Sequence, residues 1–132
     1  MNGLTLAYIG DAYYELKIRK YLIDQKLTSV NDLHKKAILF TKGLAQAEIV
    51  MYMIENELLS IDEKTYFKRG RNASGPGRKN IDAKTYHRAT GFEALIGYLY
   101  LNDKKRCDEL IHIAIKYIEG ENHGKSGGQK IK

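Results

Sequence analysis

Apolar residues recur along this chain at steps of three and four, the spacing of one face of an α-helix. Leu6 to Ile23 is predicted as a first helix, with Ile9, Ala12, Tyr13, Leu16 and Ile23 near a 3.6-residue period. Lys26 to Val30 is the turn that follows, and Asn31 or Asp32 can cap the next helix with a side-chain oxygen. That second helix is predicted to be the longest. It carries Leu33, Ala37, Phe40, Leu44, Ala47, Met51, Ile54 and Leu58 without a break. Ile38, Ile49, Val50 and Met53 widen the stripe beyond a coiled-coil seam, which marks a buried bundle helix. Gly43 in its middle costs about 1 kcal/mol relative to Ala and marks close approach of another helix.

Ser60, followed by Asp62 and Glu63, starts a short helix that should run to about Lys68. Residues 70–77 hold three glycines and Pro76, the chain's single proline, and read as a loop expected to be mobile. Asp82 or Thr85 opens a fourth helix carrying Phe92, Leu95, Ile96 and Leu99. Asn102 or Asp103 caps a fifth, with Cys107, Leu110, Ile111, Ala114, Ile115 and Ile118 facing in. After Gly120 the chain turns to Gly, Lys, Ser and Gln, so residues 121–132 are expected to be a disordered polar tail behind a domain of residues 1–120. The fold class is therefore all-α, with about five main helices and a mobile basic loop.

Composition changes this picture in two places. No apolar run approaches the roughly 18 to 20 residues of a membrane span, and nothing marks secretion. The lone Cys107 can form neither an internal disulfide nor a zinc cluster, and its apolar setting predicts a small core residue in a cytoplasmic domain. Charge is more telling. The segment from Phe67 to Arg88 holds seven basic residues (Lys68, Arg69, Arg71, Arg78, Lys79, Lys84 and Arg88) against one acid, Asp82. It carries the whole net charge of +6, and the remainder is balanced. A merely solvated surface would spread the excess, so a polyanion is the expected partner.

Two carboxylates stand in apolar helical stretches, Asp11 in Ile9-Gly10-Asp11-Ala12 and Glu93 in Phe92-Glu93-Ala94-Leu95-Ile96-Gly97. Burying one charged and alone costs several kcal/mol, about 3 to 5. A shared divalent cation relieves that cost and, beside a cationic surface, points to metal-assisted phosphodiester hydrolysis. The competing reading of Asp11 is an acid near a helix N-terminus; that of Glu93 is a pairing with Arg88 or another base. Gly91 and Gly97 flank Glu93 as though something packs closely there. Glu15 is expected to pair with Arg19 at i,i+4. The four histidines have no zinc-like spacing, and His87, inside the basic segment, is expected to touch phosphate rather than catalyse. Helix packing accounts for Tyr8, Tyr13, Tyr14, Tyr21, Tyr98 and Tyr100. Only Phe67 and Tyr86 are placed for base stacking, which favours backbone recognition of a duplex.

The block Leu6-Ala7-Tyr8-Ile9-Gly10-Asp11-Ala12-Tyr13-Tyr14-Glu15 resembles the ribonuclease III signature, and Phe92 through Leu101 is similar to that family's second catalytic helix. Arg69-Gly70-Arg71-Asn72-Ala73 resembles the Mini-ribonuclease III branch. The resemblance covers roughly residues 4 to 120. It implies an all-α, Mg2+-dependent endoribonuclease that works as a homodimer on double-stranded RNA and trims precursor 23S ribosomal RNA. By position it makes Asp11 and Glu93 the metal-binding catalytic acids. Larger members of the family carry two more acids, at positions occupied here by Ala7 and Thr90, so Mg2+ is expected to keep more of its waters.

The mechanism expected on this basis has Mg2+ bridging Asp11, Glu93 and a non-bridging phosphate oxygen, leaving 5′-phosphate and 3′-hydroxyl ends. Lys68, Arg69, Arg71, Arg78, Lys79, Lys84 and Arg88 would clamp the duplex backbone. The tail after Gly120 is too short for a double-stranded-RNA-binding domain. Affinity is then expected from dimerisation, from the basic segment, or from a helper such as a ribosomal protein presenting the RNA. The rival from another class is a non-catalytic RNA-binding or ribosome-assembly module on the same fold. A helical DNA-binding protein ranks last, because the basic residues do not line one recognition helix.

Overall fold

A computed structural model describes residues 1–27, 29–75 and 82–127, with side chains through Gly120. Its described residues form six helices: α1 (Gly3–Asp24), α2 (Val30–Thr41), α3 (Gly43–Glu55), α4 (Ile61–Ala73), α5 (Ala83–Asn102) and α6 (Lys104–Gly127). No single described helix is long and apolar enough to cross a membrane. The backbone of α6 continues past Gly120, where a disordered tail is expected, through Gly127; residues 128–132 lie outside the described residues.

α5 is the organising element. Ala89 through Phe92 and Ala94 through Gly97 are buried in two runs broken by half-buried Glu93, and the helix takes α1, α3, α4 and α6 as neighbours. α1 crosses it at backbone distance. A Cβ on Gly10 would collide with the Glu93 carbonyl oxygen, and one on Gly97 with that of Leu6. The close approach expected beside Glu93 is thus an α1–α5 crossing made possible by two glycines.

The predicted second helix is two. Its axis bends by 44° between α2 and α3 at Lys42, whose extended backbone (φ −65°, ψ 154°) ends one helix and caps the next. The apolar stripe runs through the corner because both arms pack on the same core. Ala37, Phe40, Ala47, Ile49, Val50 and Met53 are buried, while Leu44 is half exposed. α4 likewise runs five residues past Lys68, to Ala73, so Gly70 through Ala73 are helical rather than loop. Gly70 serves close packing there, since a Cβ would meet the Thr90 carbonyl oxygen of α5. On α1 the predicted stripe holds at Tyr13 and is otherwise misplaced, with Ile9 half-buried and Ala12, Leu16 and Ile23 exposed. Leu6, Ala7, Tyr13, Tyr14, Ile18 and Leu22 are buried, whereas Tyr8 (83% exposed), Leu16 and Ile23 face outward.

The caps of α4, α5 and α6 follow the sequence; that of α2 does not, because the helix starts at Val30 with Ser29 as N-cap, which places Asn31 and Asp32 inside its first turn. Asp82 accepts from the Thr85 N–H, Asp103 from the Arg106 N–H, and Ser60 forms a capping box with Glu63. Cys107 is fully buried. Glu63 also ties α4 to α6: Arg106 reaches it at 2.8 and 3.0 Å and donates to the Leu58 carbonyl at 2.7 Å. Burial raises the Glu63 pKa, but the Arg106 hydrogen bonds and the Ser60 N–H outweigh it and hold the carboxyl below its ordinary value. A depressed folded-state pKa contributes stability that is present above the unfolded value and lost as pH falls through the folded one. Glu63→Gln is therefore expected to cost about 2 kcal/mol at neutral pH. Its deficit against the unmodified chain should shrink in urea melts carried down through the acid range.

Candidate metal and nucleic-acid site

Asp11 sits eight residues into α1, beyond the reach of the helix N-terminus, so the dipole does not explain it. The α1–α5 crossing explains its position. Gly10 against Glu93 brings the neighbouring Asp11 side chain and the Glu93 side chain to one cleft of about 490 Å³. Asp11 is exposed and Glu93 half-buried. Glu15 stays out, paired with Arg19 at 2.9 Å as expected.

Ala7 and Thr90 lie one helical turn before Asp11 and Glu93 on α1 and α5. Ala7 is buried against Leu6 and Ala94, and the Thr90 hydroxyl donates to the Tyr86 carbonyl at 3.0 Å. Among the described residues no group of three or more His, Cys, Asp or Glu side chains is placed to hold a metal. The donors nearest the crossing are all oxygens, two carboxylates and the Thr90 hydroxyl. Such a set fits a hard ion that keeps most of its water shell, as Mg2+ does, and does not fit zinc.

The corner between α2 and α3 closes the cleft with Thr41, Lys42, Gly43, Leu44 and Gln46. Neither Lys42 nor Gln46 belongs to a motif. The one signal for Gln46 is a polar residue between Ala45 and Ala47 on an apolar face; in the structure it is 2% exposed.

The basic residues divide. Lys68, Arg69 and Arg71 lie on α4, and Lys84 and Arg88 on α5, so five of the seven are helical. Arg78 and Lys79 lie outside the described residues. Arg71, Lys84 and Arg88 converge on a second, open cleft of about 600 Å³ with His87, which shares a hydrogen bond with Ser74. Lys68 and Arg69 are exposed outside that lining; Arg69 lies over the Tyr66 ring at 5.2 Å, and Tyr66 stacks on Tyr98 at 3.6 Å. Phe67 is buried and unavailable for base stacking, and Tyr86 lines the carboxylate cleft instead.

A helical domain with paired carboxylates at an α1–α5 crossing invites comparison with known nucleases, and residues 4–104 match the family model described as the ribonuclease III domain. The chain belongs to the ribonuclease III family and is an endoribonuclease. It is 50% identical over 119 residues to Mini-ribonuclease 3 of Acholeplasma laidlawii, covering 90% of this chain and 95% of that one. It is 46% identical over 127 residues to Mini-ribonuclease 3 of Enterococcus faecalis, covering 95% and 96%. A crystal structure of a Fusobacterium nucleatum protein shares the fold with a TM-score of 0.77 at 32% identity, over 88% of this chain and 93% of that one.

Proposed function

We propose that this endoribonuclease cuts double-stranded RNA with Mg2+ held by Asp11 and Glu93, leaving 5′-phosphate and 3′-hydroxyl ends, and that its substrate is the end region of precursor 23S ribosomal RNA. The observation that carries the reading is the shared cleft of Asp11 and Glu93. A bound Mg2+ supplies positive charge at the phosphate and a more acidic water. The chain's own residues do the rest. Asp11 and Glu93 fix the ion from two helices held rigidly at the glycine crossing. Arg71, Lys84 and Arg88, with Lys68 and Arg69 beside them and Arg78 and Lys79 in the intervening segment, grip the backbone through phosphate contacts.

The partner surface for a second copy is the outer face of α1. Leu4, Tyr8, Ala12 and Leu16 repeat there at i,i+4, all exposed, with Asp11 at the edge of the stripe. A homodimer would cover this apolar strip and set two active sites side by side, one for each strand. A ribosomal protein that presents the RNA remains part of the proposal, and the cytoplasm is the compartment where such a substrate is met.

The test is cleavage of an end-labelled RNA duplex at low salt, with Mg2+ or with chelator, scored with binding on the same samples and with sedimentation of the free protein. Expected are paired cuts only with the ion, phosphorylated 5′ ends, binding that falls steeply with salt, and twice the chain's mass. Binding without cutting in either condition would favour the RNA-binding module.

A further inference from the structure

The wall of the carboxylate cleft opposite the acids has chemistry of its own. α3 starts there with Lys42 as N-cap and no side-chain cap, and its first turn carries no acid. The first N–H bond at this end runs from Gln46 to the Lys42 carbonyl at 3.1 Å. The N–H groups of Gly43, Leu44 and Ala45 thus lack an intrahelical acceptor, at the positive end of the helix dipole. One turn in, the Gln46 side chain is 2% exposed, and among the described residues its amide has no hydrogen-bond partner. Buried amides are nearly always paired, so one left open on a cleft wall is waiting for a ligand atom.

Deepening the endonuclease reading, on which it rests, we propose that the α3 N-terminus, Lys42 and Gln46 form the phosphate-holding wall of the cleft and take a non-bridging oxygen of the scissile phosphodiester. The two walls divide the work by sign. Asp11 and Glu93 repel a phosphate unless a cation lies between them, whereas the α3 wall offers the backbone N–H groups of the helix start, the Lys42 ammonium and the Gln46 amide NH2. Fixed donors strengthen as negative charge grows on the phosphate oxygens during attack, and they need no rearrangement at that moment. The cations Arg71, Lys84 and Arg88 line a different cleft, so their grip leaves the reacting phosphate to this wall.

The test titrates the 15N-labelled chain with inorganic phosphate in metal-free buffer. The backbone signals of Gly43 and Leu44 and the side-chain amide of Gln46 should move together on one binding curve. Gln46→Leu should weaken that curve by about fivefold. It should also slow single-turnover duplex cleavage by about a hundredfold, with affinity for the duplex and for Mn2+ unchanged. Because it removes an unpaired buried amide, the variant should unfold at or above the temperature of the unmodified chain, which a glutamine kept for stability would not do. Asp11→Asn serves as the counterpart, losing Mn2+ while keeping the phosphate titration. Shifts confined to Arg71, Lys84 and Arg88, or a Gln46→Leu chain that melts early and cleaves normally, would overturn the proposal. A chain that cuts no duplex overturns the endonuclease reading instead, and with it the scissile role, whatever phosphate does at Gly43.

Discussion

Asp11→Asn and Glu93→Gln are each expected to lower duplex cleavage by about a thousandfold or more, close to 4 kcal/mol of transition-state stabilisation, while leaving RNA affinity intact or slightly raised. The argument is electrostatic. Each substitution keeps the shape of the side chain and removes one negative charge from a donor set that holds only two carboxylates. With Ala7 and Thr90 one helical turn before them, no further carboxylate among the described residues lines the cleft to take over the ion. A site with four acids would lose affinity in part; this one should lose it almost completely. Folding should survive, because Asp11 is exposed on α1 and Glu93 is half-buried on a helix whose packing comes from its other faces. RNA affinity should survive because Arg71, Lys84 and Arg88 stand in a separate cleft. Removing a negative charge near the phosphate reduces repulsion, so binding tightens if it changes at all. Single-turnover cleavage and filter binding on the same preparations check this. Equal losses in both would point to a folding lesion, and normal cleavage by either variant would take the metal away from that residue.

Much of this site was legible before any coordinates. The two acids stand in blocks whose apolar surroundings demand an explanation, and of the two glycines flanking Glu93, Gly97 marks the α1–α5 crossing while Gly91 makes room for Phe67 of α4. Ser60, Asp82 and Asp103 were legible as caps because a short side-chain oxygen at a helix start has a direct geometric role. What stayed hidden has physical reasons. Periodicity reports which residues face the core, not the direction of the axis, so a stripe that stayed in phase across Lys42 concealed the α2–α3 corner. On α1, apolar residues lie on every side, and the period could not tell the face against α5 from the face bearing Tyr8 and Leu16. Gly70 reads as a chain breaker in sequence, yet in α4 it makes room for α5. Gln46 carries no motif, and its interest arises only once it is seen to be buried without a partner.

Gly10→Ala should be the most damaging single methyl group in the protein, costing about 3 kcal/mol or more. The added Cβ would collide with the Glu93 carbonyl oxygen and stand 2.7 Å from the Gly97 N. Both are backbone atoms of α5, so no flexible side chain can yield, and one helix must move away from the other. Since α5 is held by α3, α4 and α6 as well, the strain spreads through the whole core. For a chain of this size the melting temperature should fall by about 10 °C or more. Gly120→Ala provides the contrast: nothing stands within 4 Å of its Cβ position in α6, and the same methyl should there raise stability by about 0.5 to 1 kcal/mol through helix propensity. The functional consequence separates packing from mere instability. The crossing that excludes a methyl also sets the spacing of Asp11 and Glu93, so the Gly10→Ala chain that remains folded at low temperature should bind Mn2+ more weakly than the unmodified chain. Its affinity for the RNA duplex should be retained, because the basic cleft lies on α4 and the start of α5. Thermal melts and Mn2+ titrations on both alanine variants decide it. A folded Gly10→Ala protein with unaltered metal affinity would show that the two carboxylates do not depend on the α1–α5 contact for their register.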